Sequence, residues 1–183
     1  MRHTHKQKIL NQFILNEELR QQISTEYEEV EEEIEKRIQE QIKVMYKFRN
    51  DSVIGVITLG DDVTTYIEEN FRNGTYTKGL LADMIANEIL FELDNRTLKD
   101  INCDCRKRKF FISQKMNIGE DLPLSFQKEI AEEFDIITVT DSYMLLPLKS
   151  ITFTYLLTTE KSSEINLSHD CTKCSFRLKC NKN

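Results

Sequence analysis

The first long pattern of apolar and polar positions in the chain is helical. Between Gln22 and Phe48, apolar residues recur every three or four positions, a spacing that lines one face of an α-helix. These residues are Ile23, Tyr27, Val30, Ile34, Ile38, Ile42 and Met45. Eight glutamates from Glu26 to Glu40 fall mainly on the other faces. They indicate a solvated surface, with an acidic docking face for a basic partner as the alternative.

A buried strand is predicted next. The stretch SVIGVITLG, Ser52–Gly60, is β-branched and apolar on both faces, which is typical of a strand covered on both sides. Asp61 or Asp62 would then cap a helix carrying Val63, Ile67 and Phe71 on its apolar side. The Asn-Gly pair at 73–74 predicts the turn that ends this helix.

The following residues predict a second long helix and a second strand. Over 78–101 the expected inward positions are Leu80, Met84, Ile85, Ile89, Leu93 and Leu98. A short strand is expected at 110–112. Another helix is expected from about Leu122, with Pro123 in its first turn and Phe126, Ile130 and Phe134 on its apolar side.

Two further strands are predicted at 136–146 and 150–158. In the second, Ile151, Phe153, Tyr155 and Leu157 alternate with Thr152, Thr154 and Thr158, as one buried and one wet face would require. Helices and strands mix without a strict βαβ repeat, so an α+β class with a mixed or antiparallel sheet is predicted. Three parts are expected: an N-terminal helical segment (1–50), an α+β core (51–160) and a Cys-rich tail (161–183).

Composition and charge exclude several classes of function. The chain has 183 residues and a net charge of −6, which disfavours non-specific nucleic-acid binding. No apolar run approaches the ~18–20 residues of a membrane span. The start, MRHTHKQKILNQFILNEE, lacks the apolar core and cleavage site of a signal peptide, so a cytoplasmic location is expected.

The sequence contains no GxGxxG, P-loop, HExxH or GxSxG motif, which disfavours the common enzyme classes that these motifs mark. The histidines, at positions 3, 5 and 169, disfavour a buried Ser-His-Asp triad.

The tail predicts a metal site. His169, Cys171, Cys174 and Cys180 lie within twelve residues, and a Cys-x-x-Cys turn lets two thiolates reach one metal ion. Either Cys103 or Cys105 is a candidate for the fourth ligand. The set suits zinc or an iron–sulfur cluster, and its spacing does not decide between them. Free thiols are the alternative, although five cysteines in a cytoplasmic chain do not suggest disulfides.

A basic run, Arg106–Lys109, follows the Cys103–Cys105 pair. A solvated surface is the usual meaning of such a run. A docking patch for an acidic partner protein is the alternative interpretation.

Three ordered blocks resemble a known family. They are Thr-Leu-Gly-x-x-Val from Thr58, Leu-Pro-Leu-x-x-Gln from Leu122, and Ser-x-Met-x-x-Pro-x-x-Ser from Ser142. Together they resemble the activation domain of cobalamin-dependent methionine synthase in its stand-alone bacterial form, over roughly 52–158. The resemblance implies a curved α+β fold with an antiparallel sheet.

The resemblance also implies an activity. Such a domain binds S-adenosylmethionine and presents its methyl group to the cobalamin of a partner methyltransferase or corrinoid protein, while a redox protein supplies an electron. Two alternative functions are therefore expected. One is assistance in reductive remethylation, and the other is a non-catalytic metal-binding or redox module that kept the fold and lost S-adenosylmethionine binding. A structural adaptor working through the acidic helix is a third reading.

The same resemblance points to site residues. The family's Arg-x-x-x-Gly-Tyr stretch corresponds to Lys115, Gly119 and Glu120. Lys offers a point charge where Arg grips a carboxylate with two hydrogen bonds, and Glu replaces an aromatic ring, so altered or lost binding is expected. Gly119 keeps the close backbone approach of such a loop. Lys149 and Ser150, after a proline, are candidates for a rim position facing a ligand, with a structural role as the favoured alternative.

Overall fold

The computed structural model describes residues 2–11 and 17–160. The helices are α1 (Arg2–Leu10), α2 (Glu17–Ile38), α3 (Asp61–Arg72), α4 (Tyr76–Lys107) and α5 (Phe126–Phe134). The strands are β1 (Lys43–Phe48), β2 (Ser52–Thr58), β3 (Phe111–Met116), β4 (Thr138–Val139), β5 (Leu145–Leu146) and β6 (Ser150–Thr158). Helices combined with an antiparallel sheet confirm the predicted α+β class. The Cys-rich tail, 161–183, lies outside the described residues.

The main sheet has four antiparallel strands in the order β1-β2-β6-β3. Its central strand β2 is buried along its whole length, as its apolar sequence predicts. Strand β6 lies beside β2 and pairs on its other side with β3, where Thr158 is opposite Phe111 and Thr154 is opposite Met116. Strands β4 and β5 form a separate small hairpin.

Alternation along β2 sends its side chains to two cores. Val53 and Ile57 join a large cluster with the helices α1 to α4, together with Phe153 and Tyr155 of β6. Ile54 and Val56 join a smaller cluster on the opposite face, covered by α5. The apolar side of α5 is as predicted, with Ile130 and Phe134 buried and Phe126 packed against them.

The N-terminal helix ends earlier than its sequence pattern predicts. The structure ends α2 at Ile38 and makes Lys43–Phe48 an edge strand, so the prediction of one helix over 22–48 is wrong beyond residue 38. The strand forms because Tyr46 and Phe48 pack on the large core at a spacing of two, and a tight turn returns the chain into β2. A boundary at residue 50 therefore falls between two paired strands, and α2 shares its core with the sheet.

Two further helix boundaries differ from prediction. The first residue before α3 is Gly60, so Asp61 and Asp62 begin the helix and do not cap it. Helix α5 begins at Phe126 and not near Leu122, because the residues around Pro123 form a turn in which Phe126 N–H donates to the Pro123 carbonyl.

Helix α4 is longer than predicted, and its predicted inward face is confirmed except at Leu80. It continues to Lys107 and so includes the whole CDCRK stretch. Ile85 is buried, and the other confirmed positions, Met84, Ile89, Leu93 and Leu98, pack against the large cluster. Leu80 is 42% exposed, and its neighbour Leu81 is buried in its place. No helix in the described part of the chain is both long and apolar enough to span a membrane.

The last two predicted strands also differ in detail. The stretch 136–146 contains two short strands, β4 and β5, separated by a turn in which Thr140 N–H donates to the Met144 carbonyl over 2.9 Å. Strand β6 is confirmed, but its second face is not uniformly wet. Thr154 is 3% exposed because it lies beside Ile54 on the face that α5 covers.

Candidate functional site

A cavity of about 760 Å³ opens at the end of the sheet where β2 ends and β6 begins. Thr58 and Gly60, from the first of the three sequence blocks, line one part of it. Leu146 and Pro147, from the third block, line another part. The turn that follows α5, 135–138, completes the wall. Two blocks that are far apart in the sequence therefore meet at one cavity.

The cavity wall is strongly acidic. Glu40, Asp61, Asp62 and Asp135 contribute four carboxylates, against the single ammonium group of Lys43. None of these five side chains forms an ion pair with another described residue, in contrast to the partly buried pair between Lys149 and Asp83. The electric field in the cavity therefore favours a ligand with positive groups, and the ammonium group of Lys43 can attract one negative group of that ligand.

The ends of α2 and α3 are held together at this cavity by Gly60 and Gln41. Gly60 has a φ of +85°, a conformation that side-chain-bearing residues rarely adopt, and a Cβ here would lie 2.5 Å from the Gln41 Cβ. The Gln41 Oε1 accepts a hydrogen bond from Asp62 N–H over 3.3 Å. Gln41 thus supplies the cap that glycine cannot, and it fixes the start of α3 at the cavity wall.

Ser150, for which a ligand-facing and a structural role were both open, has the structural one and lies in a buried hydrogen-bond network behind that wall. It is 8% exposed, and its Oγ lies 2.7 Å from both the Pro147 carbonyl oxygen and the Thr58 Oγ1. Because a carbonyl only accepts, the single Ser150 proton goes to Pro147 and the Thr58 hydroxyl donates to Ser150. Thr58 Oγ1 accepts in turn from Gly60 N–H over 3.1 Å. The network fixes the cavity wall and leaves Ser150 no proton to offer a ligand.

Replacing Ser150 with Ala is expected to lower the free energy of unfolding by about 1–2 kcal/mol. The change leaves the Pro147 carbonyl and the Thr58 hydroxyl without this partner at a buried position. Ser142→Ala is the matched control, since its hydroxyl meets Thr140 on an exposed loop and its loss should cost less than about 0.5 kcal/mol. Urea unfolding of both variants measures the difference, and equal midpoints would contradict the network.

Lys115 faces the helical layer. Its Nζ lies 3.0 Å from Asp94 Oδ2 on α4 and 5.8 Å from the centre of the Tyr155 ring. Burial raises the pKa of Tyr155, and the nearby carboxylate of Asp94 raises it further. The loop after β3 lies on the other side, because Ile118 packs on the small α5 cluster. The structure therefore does not bring the Lys115 ammonium group to the loop that contains Gly119.

The loop itself has the backbone shape predicted for it. Gly119 has a φ of +98°, and its N–H donates to the Leu122 carbonyl over 2.6 Å. Asp121 Oδ2 accepts from Asn117 N–H over 2.8 Å, which closes the turn. Glu120 is exposed and accepts a long hydrogen bond, 3.4 Å, from Asn117 Nδ2. The loop thus uses the backbone conformation that favours glycine at position 119, and Glu120 takes part in the turn.

The two upstream cysteines lie in the last turns of α4 in different environments. Cys103 is exposed, while Cys105 is fully buried and burial raises the pKa of its thiol. The other predicted metal ligands, His169, Cys171, Cys174 and Cys180, lie outside the described residues. Over the ranges 2–11 and 17–160, no group of three or more His, Cys, Asp and Glu residues is placed to hold a metal ion.

Sequence reasoning missed the charged residues of the cavity. Glu40, Lys43 and Asp135 come from three separate segments, and no spacing in the sequence connects them. One signal was present: Gly60 with two aspartates directly after a buried strand, at the end of the sheet where polar groups often meet a ligand. No protein-family model matches this chain, and no curated protein matches it either. The resemblance to the methionine synthase activation domain therefore stays a prediction that rests on the three sequence blocks.

Proposed function

We propose that this chain binds S-adenosylmethionine in the acidic cavity and assists the reductive remethylation of cobalamin carried by a partner methyltransferase or corrinoid protein. The observation that supports this proposal is the meeting of two of the three family-like blocks at that cavity. The cavity lies away from Lys115. The ligand is therefore expected in the space between β2, α3 and the turn before β6, and not at the loop after β3.

The residues around the cavity fit the charges of S-adenosylmethionine. The molecule carries a sulfonium and an ammonium group, both positive, and one carboxylate. Four carboxylates face the two positive groups, and Lys43 is available for the ligand carboxylate. Ile136, Ile137, Leu146 and Pro147 provide apolar wall for an adenine ring. A volume of about 760 Å³ lies within the range of about 300–1,000 Å³ common for small-molecule sites.

The residues of this chain act by binding and orienting. When bound, S-adenosylmethionine supplies the methyl group, while the corrinoid and the electron come from partner proteins. The carboxylates of Asp61 and Asp62 attract the positive sulfonium group, and the network of Thr58 and Ser150 holds the facing wall in place. S-adenosylhomocysteine, the product of methyl loss, is held less tightly, because its sulfur is a neutral thioether and only its ammonium group still attracts the carboxylates of the cavity. This difference favours release after transfer.

A metal-binding or redox accessory module without methyl-donor chemistry is the second candidate function. The observation that favours it is the ion pair between Lys115 and Asp94, which directs the one cation of the family-like loop motif away from the loop. In this reading the cavity takes no methyl donor, and the metal-binding tail carries the function. The two candidates differ in their response to S-adenosylmethionine.

Calorimetry with S-adenosylmethionine is expected to show binding that the double change Asp61→Asn and Asp62→Asn weakens at least tenfold, or about 1.4 kcal/mol. S-adenosylhomocysteine, which lacks the sulfonium charge, should bind the wild type more weakly than S-adenosylmethionine. The matched control is Glu68→Gln with Glu69→Gln, which removes the same charge from exposed positions on the same helix. It should leave the affinity unchanged.

The following outcomes would count against the methyl-donor role or against its location in the cavity. Absence of heat with the wild type would remove it, and equal effects of the cavity and control variants would remove the cavity. Tightening by Lys115→Arg with Glu120→Tyr, with no effect of the Asp61 and Asp62 changes, would return the site to the loop. A companion assay follows the absorbance of a cob(II)alamin-loaded partner with reductant. An unchanged spectrum on adding this chain and the methyl donor would favour the second function.

A further inference from the structure

Strand β1 lies at one end of the main sheet, and no described strand pairs with its outer side. Arg49 N–H, directly after β1, donates to the Ser52 carbonyl over 2.8 Å and so belongs to a hydrogen-bonded pair of the β1–β2 ladder. Such pairs recur at every second residue along an antiparallel ladder, so the odd-numbered residues of β1 bond to β2. The even-numbered residues therefore turn their N–H and C=O groups to the open side of the strand. They are Val44, Tyr46 and Phe48.

The open edge of β1 is regular and partly apolar. Val44 and Met45, on opposite faces of the strand, are 37% and 41% exposed. The other edge strand of the sheet, β3, is interrupted by a bulge between Ile112 and Gln114, a feature that protects edge strands against further pairing. β1 pairs with β2 without such an interruption. It therefore presents an unbroken row of backbone donors and acceptors to an added strand.

The basic run Arg106–Lys109 lies beside this edge, on the helical face of the sheet. Tyr46 OH donates to Asp104 Oδ2 over 2.8 Å, which fixes the end of α4 next to β1. The Cζ atom of Arg108 lies 4.4 Å from the centre of the Phe48 ring. All residues of the run are exposed. The fold thus places the basic run, which the methyl-donor proposal does not use, next to the open backbone groups of β1.

Lysines flank the same edge on the opposite face. Lys47 forms an ion pair with Glu133 of α5, and Lys43 lies on the same face four residues earlier. Two copies of β1 would repel each other, because a register with Met45 opposite Met45 places each Lys43 opposite a Lys47. The register two residues further on places Lys43 opposite Arg49. These charges disfavour pairing between two copies and favour an acidic strand.

We propose that β1 binds an extended acidic segment of a partner protein as an added strand of the main sheet. The backbone of that segment pairs with the open groups of β1, and its carboxylates meet the cations on the two faces. An extended peptide alternates N–H and C=O groups as this edge does, whereas the phosphates of a nucleic acid only accept hydrogen bonds. The edge therefore fits a protein segment. This inference goes beyond S-adenosylmethionine binding and does not depend on it.

Fluorescence anisotropy of labelled ten-residue peptides with the full chain tests this assignment. The acidic probe alternates valine with glutamate, and the basic control alternates valine with lysine. The acidic probe should bind at least tenfold more tightly than the basic one, and added salt should weaken its binding. An acidic probe N-methylated at every second amide keeps one complete edge and should still bind. A probe N-methylated at every amide has no free edge and should not bind, because its side chains alone cannot pair with β1.

Two pairs of variants test the backbone and the charges separately. Val44→Pro removes one outward N–H and should weaken the acidic probe at least tenfold, since edge strands tolerate proline where the N–H does not bond to the sheet. Val44→Thr keeps this N–H and should match the wild type. Arg108→Gln should weaken binding roughly two- to fivefold, the effect of one exposed charge pair. Arg72→Gln removes the same charge from α3 and should have no effect.

Several results would overturn the proposal. They are no binding of the acidic probe, equal binding of the fully N-methylated probe, or equal binding of the basic probe. Dimerisation of the chain without a probe, measured by light scattering, would assign the edge to a second copy, and tighter binding of a thymidine dodecamer would assign its cations to a nucleic acid. Circular dichroism checks the fold of each variant, and the N-methylated probes decide with the wild type alone if Val44→Pro does not fold. Failure here leaves the calorimetric test of the cavity unaffected.

Discussion

Gly55→Ala is expected to lower the free energy of unfolding by about 3 kcal/mol. Gly55 lies in the central strand β2 directly under the Phe153 ring, and an added Cβ would overlap that ring. It would also lie 2.6 Å from the backbone oxygen of Met45 on β1. Neither neighbour moves freely, because the ring is 2% exposed in the core and the oxygen belongs to a paired strand. Urea unfolding monitored by circular dichroism measures the change.

Gly74→Ala is the control for this substitution. Gly74 has a φ of +81°, so alanine carries a conformational cost of about 1–2 kcal/mol there, but its Cβ meets nothing within 4 Å. Gly55 has no positive φ, so its loss of stability reflects steric overlap, whereas the loss at Gly74 reflects backbone conformation without overlap. Equal losses would contradict the close packing of β1, β2 and β6 around Gly55.

The isolated segment 51–160 is expected not to fold cooperatively. It lacks β1, which exposes the edge of β2, and it lacks α2, whose buried side chains cover the large core. These side chains are Ile23, Tyr27, Val30, Ile34 and Ile38. At about 1.5–3 kcal/mol for each buried side chain, their loss amounts to roughly 7–15 kcal/mol. That loss equals the whole stability of a typical domain, about 5–15 kcal/mol.

Thermal unfolding and amide proton dispersion of the segment 51–160 test this expectation. The segment 1–160 is the control, since it keeps every element of the main sheet and should unfold in one cooperative transition. A cooperative transition in the segment 51–160 would mean that the sheet and the remaining helices form a core without α2. The predicted boundary at residue 50 would then mark an independent folding unit.

Elements whose sequence pattern agrees with their burial were predictable from the sequence. β2 is apolar on both faces and is covered on both sides by helices. β6 alternates as expected at Phe153 and Tyr155, and α5 buries Ile130 and Phe134 at a spacing of four. In each case local periodicity and tertiary packing demand the same residues at the same positions.

β1 was missed because its sequence supports two periodicities at once. Ile38, Ile42 and Met45 continue the helical spacing of α2, whereas Tyr46 and Phe48 alternate with lysine as a strand does. Pairing with β2 decides between them, and only the folded chain provides that pairing. The cavity was unpredictable for a similar reason: Glu40, Asp61 and Asp135 are brought together by sheet topology, which no local spacing records.

Helix α4 keeps the cysteine Cys103 far from the acidic cavity. In the first half of the helix, the Oδ1 atoms of Asp83 and Asn87 accept hydrogen bonds from Lys149 Nζ over 2.7 and 2.8 Å, beside the turn that borders the cavity. At its other end lies Cys103. The twenty residues between Asp83 and Cys103, at about 1.5 Å each, span roughly 30 Å. A charge at Cys103 is therefore screened from a molecule in the cavity, because this separation exceeds the Debye length of about 10 Å at 0.1 M salt.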